Sequence, residues 1–253
     1  MKNIISASML ASDLTNIEKE IRRTENAQVE WLHIDVMDGV FVDNITYGNN
    51  VVAAMRKVSD IYFDTHLMVT DPTKLIPLFA KAGSNMLTIH LESNGNTEEN
   101  LRAIRENGMN AGLAIKPATD WKEVIPYLPL CDMVLVMTVE PGYGGQGFIP
   151  QCADKVAMLR KYCDENGFDK MNIQVDGGIN TSTPTPPPPP PRRNSKRCRC
   201  KRTCSRNISV QGGGYEGGGR CYTLKAVGQQ LSCLVCKQSV IFLRVAHTAE
   251  IRI

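Results

Sequence analysis

The sequence predicts an α/β fold of the (β/α)8 TIM-barrel type over residues 1–180, cut short after its seventh strand and followed by a basic tail over 181–253. Three observations predict it. Seven apolar, strand-like runs recur with starts 23 to 38 residues apart, which suits one β/α unit apiece. Several of these runs carry His or Asp near their C-terminal ends, where barrels of this type place their chemistry. The GxGxxG turn that an open dinucleotide-binding sheet carries after its first strand is absent, since that strand ends in "MLASDL".

In order, the expected strands are IISASML (4–10), WLHIDVM (31–37), IYFDTHLM (61–68), MLTIHL (86–91), NAGLAIK (110–116), MVLVMTV (133–139) and MNIQVDG (171–177). Segments with helical spacing lie between them. Residues 12–26 place Ser12 as an N-cap before Leu14, Ile17 and Ile21, and residues 97–107 form a helix closed by Gly108. A barrel of this kind needs eight strands and usually at least ~200 residues, so the body stops one and a half units short.

Charge separates body from tail. Residues 1–180 hold 16 Lys+Arg and 24 Asp+Glu; residues 181–253 hold 13 and 2. Cysteine divides the same way: Cys131, Cys152 and Cys163 are scattered in the body, and the other six crowd the tail. The body therefore has no disulfide framework and suits a reducing, cytoplasmic compartment. The N-terminal "MKNIISASMLASDL" reads as a first strand rather than a signal peptide, and no apolar run reaches the ~18 residues of a membrane span.

The tail opens with Pro184 and the six prolines 186–191, a polyproline spacer or a ligand for a proline-reading domain. Its composition favours disorder over nucleic-acid or anionic-surface binding, and its cysteine spacing matches no zinc pattern. A third account is a change of coding frame or splice choice near residue 181. "SVIFLRVA" (239–246) is strand-like, but the linker before it is too long for an ordinary eighth strand, and we expect it outside the barrel.

The chemistry lies at the strand ends. His33 and Asp35 are two apart on one strand, so their side chains leave from the same face. His66 ends the third strand and Asp176 the seventh. Two imidazoles and two carboxylates suit one divalent first-row metal, Fe2+, Zn2+, Mn2+ or Co2+, without choosing among them. Around an eight-membered ring Asp35 and Asp176 face each other across the mouth. Two opposed carboxylates can lift a proton from one face of a carbon beside a carbonyl and return it on the other, and a metal between them would stabilise the resulting enediolate. Gly142, Gly144 and Gly145 in "VEPGYGGQGF" and the Gly177-Gly178 turn offer backbone N–H groups as a phosphate clamp. Met37, Met68 and Met137 read equally as core filler or as a soft lining for a substrate carbon chain. His90 and Glu92 read as polar groups supporting the rim rather than as ligands.

In order and spacing, "SMLASDL", "WLHIDVMDGVFVDN", "DTHLMV", "IHLE", "GLAIKP", "VLVMTVEPGYGGQ" and "VDGG" resemble the ribulose-phosphate 3-epimerase family from about residue 3 to 180. The resemblance implies interconversion of D-ribulose 5-phosphate and D-xylulose 5-phosphate in the pentose phosphate pathway, on a metal-binding barrel, often in a homodimer. It implies His33, Asp35, His66 and Asp176 as metal ligands and Asp35 and Asp176 as the acid/base pair. Substrate contacts would come from Ser8, His66, the 142–145 turn with Tyr143, and Asp176 to Gly178. Asp43 stands where the family usually has Pro, and Tyr143 where Phe is commoner. After the seventh strand the family continues with an eighth strand ending in a phosphate-binding turn, which is not visible here. The alternatives are an impaired, truncated product that binds partners through its basic tail, and a related ketohexose-phosphate epimerase.

Overall fold

The computed structural model describes residues 4–179 and the backbone of residues 239–243. Seven parallel strands follow one another: β1 (Ile4–Ser8), β2 (Trp31–Met37), β3 (Tyr62–Met68), β4 (Met86–His90), β5 (Asn110–Ile115), β6 (Met133–Met137) and β7 (Asn172–Asp176). Each lies within the run expected from the sequence: β1, β4, β5, β6 and β7 end one or two residues early, β2 and β3 end where expected, and β3 and β7 begin one residue late. The expected phosphate-clamp glycines sit in the loops beyond β6 and β7, while the four candidate metal ligands stay on the strands.

An eighth strand, β8 (Ser239–Leu243), completes a closed barrel in the order β1 to β8. It pairs antiparallel with both neighbours: Ile241 lies opposite Ile5 on one side and Val175 on the other. This corrects the expectation that the 239–246 run stays outside the sheet. Two long unsatisfied strand edges, on β1 and β7, provide the reason: an extended segment of the same chain pairs their exposed N–H and C=O groups. The remaining tail expectations, the proline spacer, the basic run and its cysteines, lie outside the described residues, as does the boundary at 180.

The helices are α1 (Ile17–Asn26), α2 (Asn49–Arg56), α3 (Ile76–Ala82), α4 (Thr97–Glu106) and α5 (Gln151–Glu165). Two details differ from expectation. Asp13, not Ser12, caps the first helical turn by accepting from Thr15 N–H, and the segment from Leu14 to Asn16 is a 3-10 turn with Leu14 exposed. Between β5 and β6 the chain forms a 3-10 helix, Trp121–Leu130, because Pro126 and Pro129 lack the N–H groups an α-helix would need there. The α4 reading holds, with Asn96 accepting from the N–H groups of Glu98 and Glu99.

Strands β1 to β7 are buried on both faces over their central residues, as a barrel wrapped in helices requires. On β2 the outward residues Leu32, Ile34 and Val36 join the main core with Ile21, Val52 and Met55 of the helices. The inward residues fill the barrel in levels. At the floor Trp31 and Tyr62 stack at 4.2 Å between ring centres and pack against Met86 and Met133. Above them lies a polar level, Ser6, His33, Asp64, Thr88 and Gln174, each 0% exposed. The mouth follows.

Candidate metal centre at the barrel mouth

Strand pairing builds the mouth. The parallel register sets Ser8 beside His33 and Asp35 beside His66, while Asp176 ends β7 next to Met137. One donor atom from each of His33, Asp35, His66 and Asp176 lies within 4.8 Å of all the others. His33 Nε2 is 3.1 Å from Asp35 Oδ1, and His66 Nδ1 is 3.2 Å from the same oxygen. Asp176 Oδ2 stands 3.8 Å from each of those two ring nitrogens. Ser8 donates its hydroxyl to Asp35 Oδ2 at 2.9 Å, so that carboxylate is held from both ends.

Electrostatics separate the two acids. Burial opposes the charge on Asp35, but the His33 and His66 rings outweigh it and hold the carboxyl well below the usual range. Burial and the Asp35 charge push Asp176 up to about 6. Burial alone would lower His33, yet Asp35 and Asp64 raise it well above the ordinary imidazole value. Two carboxylates and two imidazoles at this spacing need either ring protons or a cation to balance them. Two nitrogen and two oxygen donors match what a divalent first-row metal takes, so the residues fit such an ion.

Each imidazole has its own support. His33 Nδ1 lies 2.7 Å from Asp64 Oδ2, an oxygen that also accepts from Ser6 Oγ at 3.0 Å and Gln174 Nε2 at 2.6 Å. His66 Nε2 lies 2.9 Å from His90 Nε2, and His90 Nδ1 is 3.0 Å from Glu92 Oε2. Asp64, Gln174 and Ser6 were missed in the sequence. The signal was there: each stands two residues before a mouth residue (His66, Asp176, Ser8) and so shares its face.

The glycine turns are shaped but not all brought to the ligands. Gly142 and Gly145 have φ of 120° and 76° in the loop after β6. That loop is tied to the one after β2: Asn44 donates to Gly142 O at 3.1 Å, and the Tyr143 hydroxyl donates to Asp43 O at 3.1 Å. The two positions that depart from the family's pattern thus touch each other, while Gly144 is exposed. After β7, Gly177 and Gly178 take φ of 110° and 67°, and the Thr138 hydroxyl reaches the carbonyls of Asp176 and Gly177 at 2.7 and 2.6 Å. Met37 and Met68 pack with Val42, Leu10 and Phe41, and Met137 packs with Ala114, Leu135 and Val139; all three methionines are buried.

Comparison with known proteins places these features in a family. The sequence model of the ribulose-phosphate 3 epimerase family matches residues 4–185. Ribulose-phosphate 3-epimerase of Synechocystis sp. is 42% identical over 181 residues, covering 70% of this chain and 78% of that protein. The Schizosaccharomyces pombe protein of the same name is 43% identical over 182 residues, covering 71% and 78%. Among solved structures, KGPDC from Streptococcus mutans superposes with a TM-score of 0.50 at 14% identity, over 72% of this chain and 81% of that one, a likeness of fold alone.

Proposed function

The chain belongs to the ribulose-phosphate 3-epimerase family, and on that premise we propose that it interconverts D-ribulose 5-phosphate and D-xylulose 5-phosphate by inversion at C3. The observation that carries this reading is the convergence of His33, Asp35, His66 and Asp176 within 4.8 Å at the mouth of the closed barrel. Asp35 and Asp176 belong to strands that are not neighbours, so a sugar carbon set between them meets a carboxylate on each side. One carboxylate takes the C3 proton and the electron pair moves toward the C2 carbonyl oxygen. The other, as its acid, delivers a proton to the opposite face of C3. Ser8 keeps Asp35 aimed during both transfers. A divalent ion held by the four ligands, whether Fe2+, Zn2+, Mn2+ or Co2+, supplies Lewis-acid stabilisation to negative oxygen when bound. The buried thiols of Cys131, Cys152 and Cys163 support a cytoplasmic setting.

The test is exchange. The chain with added Fe2+ or Co2+ is incubated with ribulose 5-phosphate in deuterated water, and NMR follows the C3 proton. Deuterium at C3 of both pentuloses is expected; none would end the reading.

A second reading, an epimerase weakened in substrate grip, is favoured by the direction of β8. Ser239 pairs with Ala7 near the mouth, and Leu243 pairs with Ile173 toward the floor. β8 therefore ends at the floor, whereas barrels of this type commonly build a phosphate-binding turn at the mouth, after a parallel last strand. This reading expects a raised KM with kcat largely kept, and steady-state kinetics separate the two.

A further inference from the structure

We infer that Glu92 and His90 form a relay that fixes which nitrogen of His66 is left bare toward the mouth, making them positioning residues; this rests on the metal-centre reading and deepens it. Proton by proton, the contacts allow one arrangement of neutral rings. Glu92 Oε1 accepts from Lys116 N–H at 2.8 Å and from the Thr119 hydroxyl, which turns Oε2 to His90 Nδ1 at 3.0 Å. A carboxylate only accepts, so His90 Nδ1 carries the proton and His90 Nε2 keeps its lone pair. That lone pair sits 2.9 Å from His66 Nε2, which must donate. His66 is then bare at Nδ1, the nitrogen facing Asp35 Oδ1 at 3.2 Å and Asp176 Oδ2 at 3.8 Å.

The two imidazoles of the site are wired in opposite senses. His33 gives its Nδ1–H to Asp64 and presents Nε2, while His66 gives its Nε2–H to His90 and presents Nδ1. His33 needs one carboxylate beneath it. His66 needs two links, because the residue beside its ring is a histidine, which can accept only if something else holds its own proton. Glu92 is that holder, and its position is fixed by the backbone N–H of Lys116 together with the Thr119 hydroxyl. Such outer partners typically contribute 10–100-fold to metal affinity.

A near-isosteric change distinguishes this from simple packing. In Glu92→Gln the amide oxygen is claimed by Lys116 N–H and Thr119, so the NH2 faces His90 Nδ1. His90 must then carry its proton on Nε2, which drives His66 to protonate Nδ1, the nitrogen meant for metal. In the metal-free full-length chain, 15N spectra of histidine-labelled protein should show His90 protonated at Nδ1, and at Nε2 in Glu92→Gln. Co2+ titration followed by visible absorption should show affinity falling ~10–100-fold in Glu92→Gln. The same loss is expected in His90→Phe, which keeps a ring against Phe41 but removes the acceptor. Melting of the metal-free variants close to wild type would exclude unfolding as the cause. Wild-type His90 protonated at Nε2, or Co2+ affinity of both variants within about threefold of wild type, would overturn the relay. If wild type shows the stated His90 tautomer yet takes up no Co2+, the metal reading fails and the relay stands.

Discussion

Asp176 Oδ2 lies 3.8 Å from His66 Nδ1, although β7 and β3, which carry them, are not neighbours in the barrel. Only curvature of the whole sheet brings them together, so the second carboxylate reports on closure as well as chemistry. Its side chain retains 17% exposure, enough for a substrate to reach it. Replacing Asp176 by Asn keeps the shape and removes the proton carrier. C3 exchange should fall by roughly 10²–10⁴-fold, with melting little changed. Loss of less than tenfold in the deuterium assay would take Asp176 out of proton transfer.

Two acids and two imidazoles share one small space, so a cation should stabilise the folded chain by binding it and not the unfolded one. At about 100 times its dissociation constant, a metal adds ~2.7 kcal/mol. For a domain of this size that corresponds to roughly 5–10 °C in Tm. Thermal scans with Co2+ or Zn2+ against a chelator should show this rise, and His33→Ala should abolish it. A flat response in wild type would argue that ring protons alone balance the cluster.

Much of this was legible because strands have a period of two. The pairs His33/Asp35 and Asp64/His66, like Gln174/Asp176, lie on single inward faces, so a run of seven residues announces both a metal-type ligand and, where it has one, its support. The helices between β5 and β6 and before α1 were less legible. There Pro126, Pro129 and Asp13 override a spacing that looks helical. The His66 to His90 contact could not be read at all, since it depends on side chains from β3 and β4 meeting at one level. Linker length argues against 239–246 as an eighth strand, yet loop-closure entropy penalises length only slowly, and the parallel repeat gives no sign of an antiparallel partner.

The turn after β7 aims Asp176 and depends on glycine. A Cβ on Gly178, at φ 67°, would stand 2.3 Å from Phe148 N, a backbone atom with little room to yield. Gly178→Ala should cost about 1–3 kcal/mol, seen as a lower Tm, and should reduce C3 exchange further than stability alone explains. Gly147→Ala is the control, because a Cβ there meets nothing within 4 Å and φ is ordinary. Surface changes of that kind stay within about 0.5 kcal/mol. Equal effects from the two would show that the turn is not constrained.

Closure through β8 makes a prediction about parts of the chain far from it in sequence. Ile241 is paired on both sides, with Ile5 of β1 and Val175 of β7. Proline at that position removes a donor from the ladder and is tolerated poorly in a strand with neighbours on both sides. Ile241→Pro should therefore speed amide exchange, by about tenfold or more, in Ile4–Ser8 and Asn172–Asp176 while leaving β3 to β5 protected. Because Ser8 and Asp176 terminate those two strands, the same substitution should loosen the mouth and weaken metal uptake in parallel. Exchange rates that do not change would mean that β1 and β7 are held without β8, and that the barrel's seam is closed by something other than the backbone pairing of residues 239–243.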